Sequence, residues 1–192
     1  MQPNLWLKTY FKRYMMEKTQ IRRQIKLATR ALSVVQCHEQ SQSVIAQLRE
    51  IIAQRKPHVV ALFAPLSDEV QIGELNKLPD CRVVLPRVSG DDMEFYELAS
   101  SSLTEGAYGI LEPQGSVLCC ADEIDLMVVP GVAFTAAGDR LGRGKGYYDK
   151  YLSRKGFRAF CVGVCYAHQL LAELPTESHD KRMDMVMCGN KE

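Results

Sequence analysis

The 192-residue sequence has no apolar run near the ~18 residues of a membrane span, and no apolar leader of the secretory kind. It has no CxxC pair. None of its seven cysteines (Cys37, Cys81, Cys119, Cys120, Cys161, Cys165, Cys188) has a histidine at zinc-finger distance, which argues against a disulfide framework or zinc module. It lacks a GxSxG elbow, so the run Ser178-His179-Asp180 carries no weight as a hydrolase triad. Net charge is only +1, and no RNP-type aromatic motif is present, which argues against DNA, RNA or anionic lipid as a partner. No repeat, low-complexity tract or Gly/Ser/Pro linker divides the chain. What remains is 46% apolar content in one domain, enough to bury roughly 70% of its unfolded surface. A reduced, cytoplasmic protein with its cysteines as small core hydrophobes is the expectation.

Positive charge is local instead. Lys8 to Arg30 hold eight basic residues against one acid, Glu17. Organellar presequences share that bias, but here it runs straight into a helix that reads as structural. Residues 1–15 have no clean period and read as a flexible extension; residues 16–192 read as a single domain. A helix is expected over about 18–35, with Ile21, Ile25, Leu32 and Val35 buried. A second one follows, with Val44, Ile45, Leu48, Ile51 and Ile52 on one apolar face.

After Pro57 the texture changes. HVVALF, CRVVLP, DLMVVP and RAFCVGVC are short apolar runs bounded by turn residues, as strands covered on both faces should be. Helical pieces are expected at about 70–78 and from Gly144 to Gly156. DMEFYEL reads as an added antiparallel strand, and Met183, Met185 and Met187 as one face of a final strand. The alternation predicts an α/β fold: a single three-layer domain with a largely parallel central sheet flanked by helices. In such sheets ligands settle beyond the carboxyl ends of strands. Two loops qualify, one holding Ser67, Asp68 and Glu69 and one running from Gly131 to Gly144.

The second loop leads into RLGRGKGYYD, Arg140–Asp149. Gly142, Gly144 and Gly146 alternate with Arg143 and Lys145 just before a helix. Glycines let backbone N–H groups turn toward a ligand, the helix start adds more, and Arg140, Arg143 and Lys145 add full charges. That set describes a polyphosphate cradle, though not a Walker loop, since Gly146 follows Lys145, nor a dinucleotide fingerprint, since Tyr147 replaces its third glycine. The alternative is a surface turn with solvated charges. Asp149 is either a carboxylate favourable to the helix start or, beside bound phosphate, a magnesium ligand. His38, His58 and His168 lack partners at metal-ligand spacing, His179 reads as a surface residue or a support for a site residue, and the vicinal Cys119–Cys120 as strand or loop interior, with a redox-active pair as the alternative.

Five segments in order, KTQIRRQI, FAPLSDEV, GILEP, VVPGVAFTAAGDRLGRGKGYYDKYL and HDKRMDMV, resemble the 5-formyltetrahydrofolate cyclo-ligases, also called methenyltetrahydrofolate synthetases. The resemblance spans about 18–188. It implies a sugar-isomerase-like or CoA-transferase-like α/β sheet and an ATP- and Mg2+-dependent ligase of one-carbon metabolism, expected as a monomer. The implied reaction converts 5-formyltetrahydrofolate, with or without a polyglutamate tail, to 5,10-methenyltetrahydrofolate, releasing ADP and phosphate. By matching position, Lys18, Arg22, Arg140, Leu141, Gly142, Arg143, Gly144, Lys145, Gly146, Tyr147 and Tyr148 would contact ATP. Phe63, Ala64 and Glu69, with Arg143 to Tyr147, would contact folate, and Asp149 and Asp180 would hold magnesium. Arg143 and Lys145 would stabilise charge on the transferring phosphoryl group. The chain departs from the family pattern at Ala64, where a larger apolar residue is usual, and at Cys188, where threonine is commoner. Its only tryptophan is Trp6, with none near GILEP. A non-catalytic nucleotide- or folate-binding relative is the alternative.

Overall fold

The computed structural model describes residues 17–98, 103–105, 111–114 and 117–190. The expected extension over 1–15, and Gly109 and Ile110 of GILEP, lie outside those residues. Helix α1 (Lys18–Arg30) buries Ile21, Ile25 and Thr29, which recur every fourth position on one face. It stops short of the expected 35 because Ser33 caps a new helix, α2 (Val34–Arg55). The Ser33 hydroxyl accepts from Gln36 N at 3.1 Å, and the Gln36 amide oxygen accepts from Ser33 N at 2.9 Å. Val35 therefore sits in a first turn and is 63% exposed, not buried as expected. Along α2, Val44, Ile45, Leu48 and Ile52 are buried, whereas Ile51 is half-buried.

The strands follow as β1 (Val59–Ala61), β2 (Arg82–Ser89), β3 (Asp92–Glu97), β4 (Leu103–Glu105), β5 (Leu111–Pro113) and β6 (Leu118–Cys119). Then come β7 (Leu126–Pro130), β8 (Ala133–Thr135), β9 (Arg140–Leu141), helix α3 (Tyr147–Leu152), β10 (Phe160–Cys165), β11 (Leu170–Leu171) and β12 (Met185–Cys188). Seven strands form the central sheet in the order β12-β10-β7-β1-β2-β3-β6. The first five are parallel neighbours, with Val60 beside both Val83 and Leu126, and Val162 beside Val128. Strands β3 and β6 add antiparallel, so DMEFYEL pairs as expected.

Alternation assigns each strand to two cores. Val60, Leu62, Val128 and Val164 pack with Val44, Leu48 and Ile52 of α2 on one face. Val59, Ala61, Val84 and Val129 pack with Phe95, Phe134 and Tyr151 on the other. Both faces being covered is why the strands read as unbroken apolar runs. The second covering layer is thin. The helix expected to reach Gly156 is the six-residue α3, closed by Ser153, whose hydroxyl donates to Asp149 O at 2.6 Å. The helical piece expected over 70–78 is a 3-10 turn, Gly73–Lys77. Met183 also departs from the expected methionine face. It precedes β12 and joins the α3-side core, while Met187 joins the α2-side core and Met185 is exposed.

The stretch expected as a loop after β7 is partly a hairpin. Strands β8 and β9 pair antiparallel, and β11 extends them into a three-stranded sheet. Gly138, in the turn at φ 93°, receives Met183 N–H on its carbonyl at 2.8 Å. The hairpin is thereby pinned to the C-terminal segment, which places the glycine-arginine stretch beside the ends of β1 and β7.

Candidate active site

At the carboxyl ends of β1 and β7 lies a cavity of about 500 Å3. The structure brings every sequence-nominated residue to its wall: Lys18 and Arg22 from α1, Phe63, Ala64 and Glu69 after β1, Arg140 to Asp149, and Asp180. They come from segments up to 162 residues apart, as the Lys18–Asp180 pair shows. Residues that the sequence reading did not nominate also line it. Pro86, Val88 and Met93 give the β2–β3 hairpin an apolar wall, and Glu112, Glu177 and His179 complete the rim. Glu177 stands three residues before Asp180 in a turn and was legible as its neighbour; the hairpin wall carried no local signal.

The glycine loop has the backbone its composition suggested. Gly144 at φ 98° and Gly146 at φ 73° are left-handed, alternating with Arg143 and Lys145, a pattern that turns successive N–H groups toward a concavity. Because α3 is only six residues long, its dipole adds less than the expected longer helix would, and side-chain cations dominate the electrostatics.

Those cations are already engaged. Arg140, with a side chain 4% exposed, donates to Asp149 Oδ2 at 2.8 Å and to Pro130 O at 3.2 Å, and lies 5.5 Å from the Tyr148 ring centroid. Arg22 Nε donates to Gly142 O at 2.8 Å, tying α1 to the loop. Lys18 Nζ reaches Asp180 Oδ2 at 2.7 Å and Glu177 Oε2 at 2.8 Å. Arg143 is paired with Asp68 and Glu69, at 2.6 Å and 2.9 Å. The Tyr147 hydroxyl donates to Gly90 O at 3.1 Å, fastening the loop to the β2–β3 turn.

Burial shifts several groups. It pushes the Tyr148 phenol well above its ordinary value, reinforced by the negative charge of Glu69, so that phenol stays protonated. Burial alone would also raise Asp180, but the Lys18 ammonium and the Glu177 N–H hold its carboxyl below the usual range. Asp149 and Asp180 therefore present anchored oxygens, the donors that a hard cation such as magnesium takes. Asp149 Oδ1 accepts only the Lys181 N–H, at 3.2 Å, among the described contacts. Asp180 also belongs to a group with Glu177 and His179 whose ligand atoms lie within 4.8 Å of one another.

Proteins of known activity are similar to this chain over most of its length. A sequence model of the 5-formyltetrahydrofolate cyclo-ligase family matches residues 14–189. The 5-formyltetrahydrofolate cyclo-ligase of Saccharomyces cerevisiae is 30% identical, over 92% of this chain and 97% of its own. That of Haemophilus influenzae is 29% identical over 90% and 98% of the two chains. The solved structure of Aquifex aeolicus 5,10-methenyltetrahydrofolate synthetase superposes with a TM-score of 0.79 at 33% identity, covering 90% of each chain.

Proposed function

This chain belongs to the 5-formyltetrahydrofolate cyclo-ligase family, and from that membership we propose that it closes 5-formyltetrahydrofolate to 5,10-methenyltetrahydrofolate at the expense of ATP. One observation carries the reading: a glycine-arginine loop suited to phosphates and a buried carboxylate suited to a pterin share one cavity. Glu69, 8% exposed, accepts the Leu66 N–H on one oxygen at 3.0 Å. Its carboxylate can take two adjacent pterin N–H donors, with Phe63 and Ala64 beside the ring.

A formamide oxygen is a poor leaving group. Transfer of the γ-phosphoryl group to it breaks the bond to ADP and forms a phosphorylated imidate. N10 then attacks the formyl carbon, inorganic phosphate departs, and N10 loses its proton. Such transfer depends on positioning and charge neutralisation, with no protein nucleophile required. Arg143 and Lys145 neutralise the transferring group, and Arg140, Lys18, Arg22, Leu141, the loop glycines, Tyr147 and Tyr148 hold the rest of the nucleotide. Magnesium, held by Asp149 and Asp180, would neutralise phosphate charge when bound. We read residues 16–192 as one domain and the protein as a cytoplasmic monomer. No described helix is long and apolar enough to cross a membrane, and none of the seven cysteines is in a disulfide.

The test is direct. Wild type mixed with MgATP and 5-formyltetrahydrofolate should develop the near-ultraviolet absorbance of the methenyl product, strictly dependent on ATP. Arg143→Ala should lower turnover by about 10³-fold. A folded wild type that yields no product is a binding relative, and equal rates in both proteins remove the loop's assigned role.

A further inference from the structure

Two groups that the proposed reaction needs for different ligands hold each other here. Arg143 Nε donates to Glu69 Oε1 at 3.0 Å, and its Nη2 lies 2.9 Å from the same oxygen as an ion pair. On its far side the same guanidinium forms a fork with Asp68, Nη2 to Oδ1 at 2.6 Å and Nη1 to Oδ2 at 3.3 Å. Arg143 cannot serve a phosphate while bound there, and Glu69 cannot give both oxygens to a pterin. We propose that Asp68 and Glu69 form a latch for Arg143, so that nucleotide and reduced folate each open the site for the other, with Asp68 setting the strength of that coupling. This rests on the cyclo-ligase reading above.

Glu69 is the fixed member of the latch. Its carbonyl accepts the Tyr166 hydroxyl at 2.7 Å and the Gln71 amide at 2.7 Å, and its Oε2 accepts Leu66 N. Arg143 is the member that can move. It is exposed, and Gly142 and Gly144 flank it, the latter left-handed. Asp68 is half-buried and does not line the main cavity. It lines a smaller pocket of about 120 Å3 that shares Arg22, Gly131 and Arg143 with the main cavity, and among the described hydrogen bonds its carboxylate accepts from Arg143 alone. That makes Asp68 a positioning residue acting through Arg143.

The thermodynamic consequence follows from linkage. Nucleotide must draw Arg143 away from both carboxylates, and a pterin must displace it from Glu69. Whichever ligand arrives first opens the latch, and the second then binds to an opened site. Coupling is positive and reciprocal.

Calorimetric titration of wild type, with a magnesium-loaded non-hydrolysable ATP analogue and with 5-formyltetrahydrofolate, measures each affinity alone and with the other ligand saturating. Each should tighten the other by about tenfold, within the usual range of such couplings. Asp68→Asn should bind each ligand more tightly alone and reduce the coupling to within about twofold. Asp68→Ser should show the same loss, and Asp68→Glu should restore the coupling. Simple removal of a negative charge would tighten nucleotide binding equally with and without folate, leaving the coupling ratio unchanged; that result overturns the latch. So does a wild type that binds both ligands independently. A wild type that binds neither removes the cyclo-ligase reading, and the latch with it.

Discussion

Asp149 combines two assigned properties, a structural partner for Arg140 and a metal carboxylate, and one substitution separates them. In Asp149→Asn the Arg140 guanidinium keeps its charge, its 4% exposure and its bond to Pro130 O, but loses its only described carboxylate. Removing one partner of a buried ion pair costs about 3–5 kcal/mol. The asparagine amide still offers an oxygen, and Asp149 is 18% exposed, so roughly half that cost, about 2 kcal/mol, is expected. For a domain of this size that lowers Tm by about 4–8 °C. The assay is a thermal melt without nucleotide or magnesium, so that only the structural role is read. A repeat with the magnesium-loaded ATP analogue reads the second role: the stabilisation seen in wild type should largely disappear in the variant. A ligand-free Tm within about 1 °C of wild type would show that Arg140 is not held by this pair.

Two further outcomes test the frame around the site. Gly138→Ala places a Cβ against the Met183 carbonyl in a left-handed backbone, and should cost about 3 kcal/mol in urea unfolding; a change under about 1 kcal/mol would mean the hairpin is not pinned there. His168 supplies a pH dependence. The Thr29 hydroxyl donates to Ile25 O at 2.9 Å, so it accepts from His168 Nε2–H at 2.8 Å and leaves Nδ1 buried without a partner. Burial lowers the folded pKa of this base below its ordinary 6.5. As pH falls through about 6.5 the unfolded chain takes a proton that the folded one refuses, so stability declines there and is flat above. His168→Gln keeps the donor and should flatten Tm between about pH 7 and 5; an unchanged slope would exclude His168 as its source.

What was legible in the sequence was whatever the chain encodes locally. A parallel strand covered on both faces must be apolar at consecutive positions, which is why VVAL, LMVV and FCVGVC stood out. The glycine-arginine loop was legible as a loop because its glycines and cations are neighbours. The break between α1 and α2 was hidden, since Ser33 sits among helix-compatible residues and its capping partner Gln36 lies inside the next turn. Strands β8 and β9 were hidden because their three-stranded sheet is completed by β11, some 35 residues further on, and two- or three-residue strands have no period to read.

The same limit applies to charge, with more consequence. Read along the chain, Lys18, Arg22, Arg140 and Arg143 look like free positive charge awaiting an anion. In the fold each has an acceptor: Asp180 and Glu177, the Gly142 carbonyl, Asp149, and the Asp68–Glu69 pair, the last lying 74 and 75 residues from Arg143. The cavity is therefore far closer to neutral than its list of cations suggests. On the proposed reading, phosphate would not be captured there by net charge alone; it would replace pairs that already exist. Affinity then depends on how readily each pair opens. Arg140–Asp149 is the more buried and stays as a floor, whereas Arg143, half in solvent, is the pair that yields. Selectivity for a ligand that supplies several oxygens at once follows from that order, because a single monovalent anion cannot replace the fork to Asp68 and the bonds to Glu69 together.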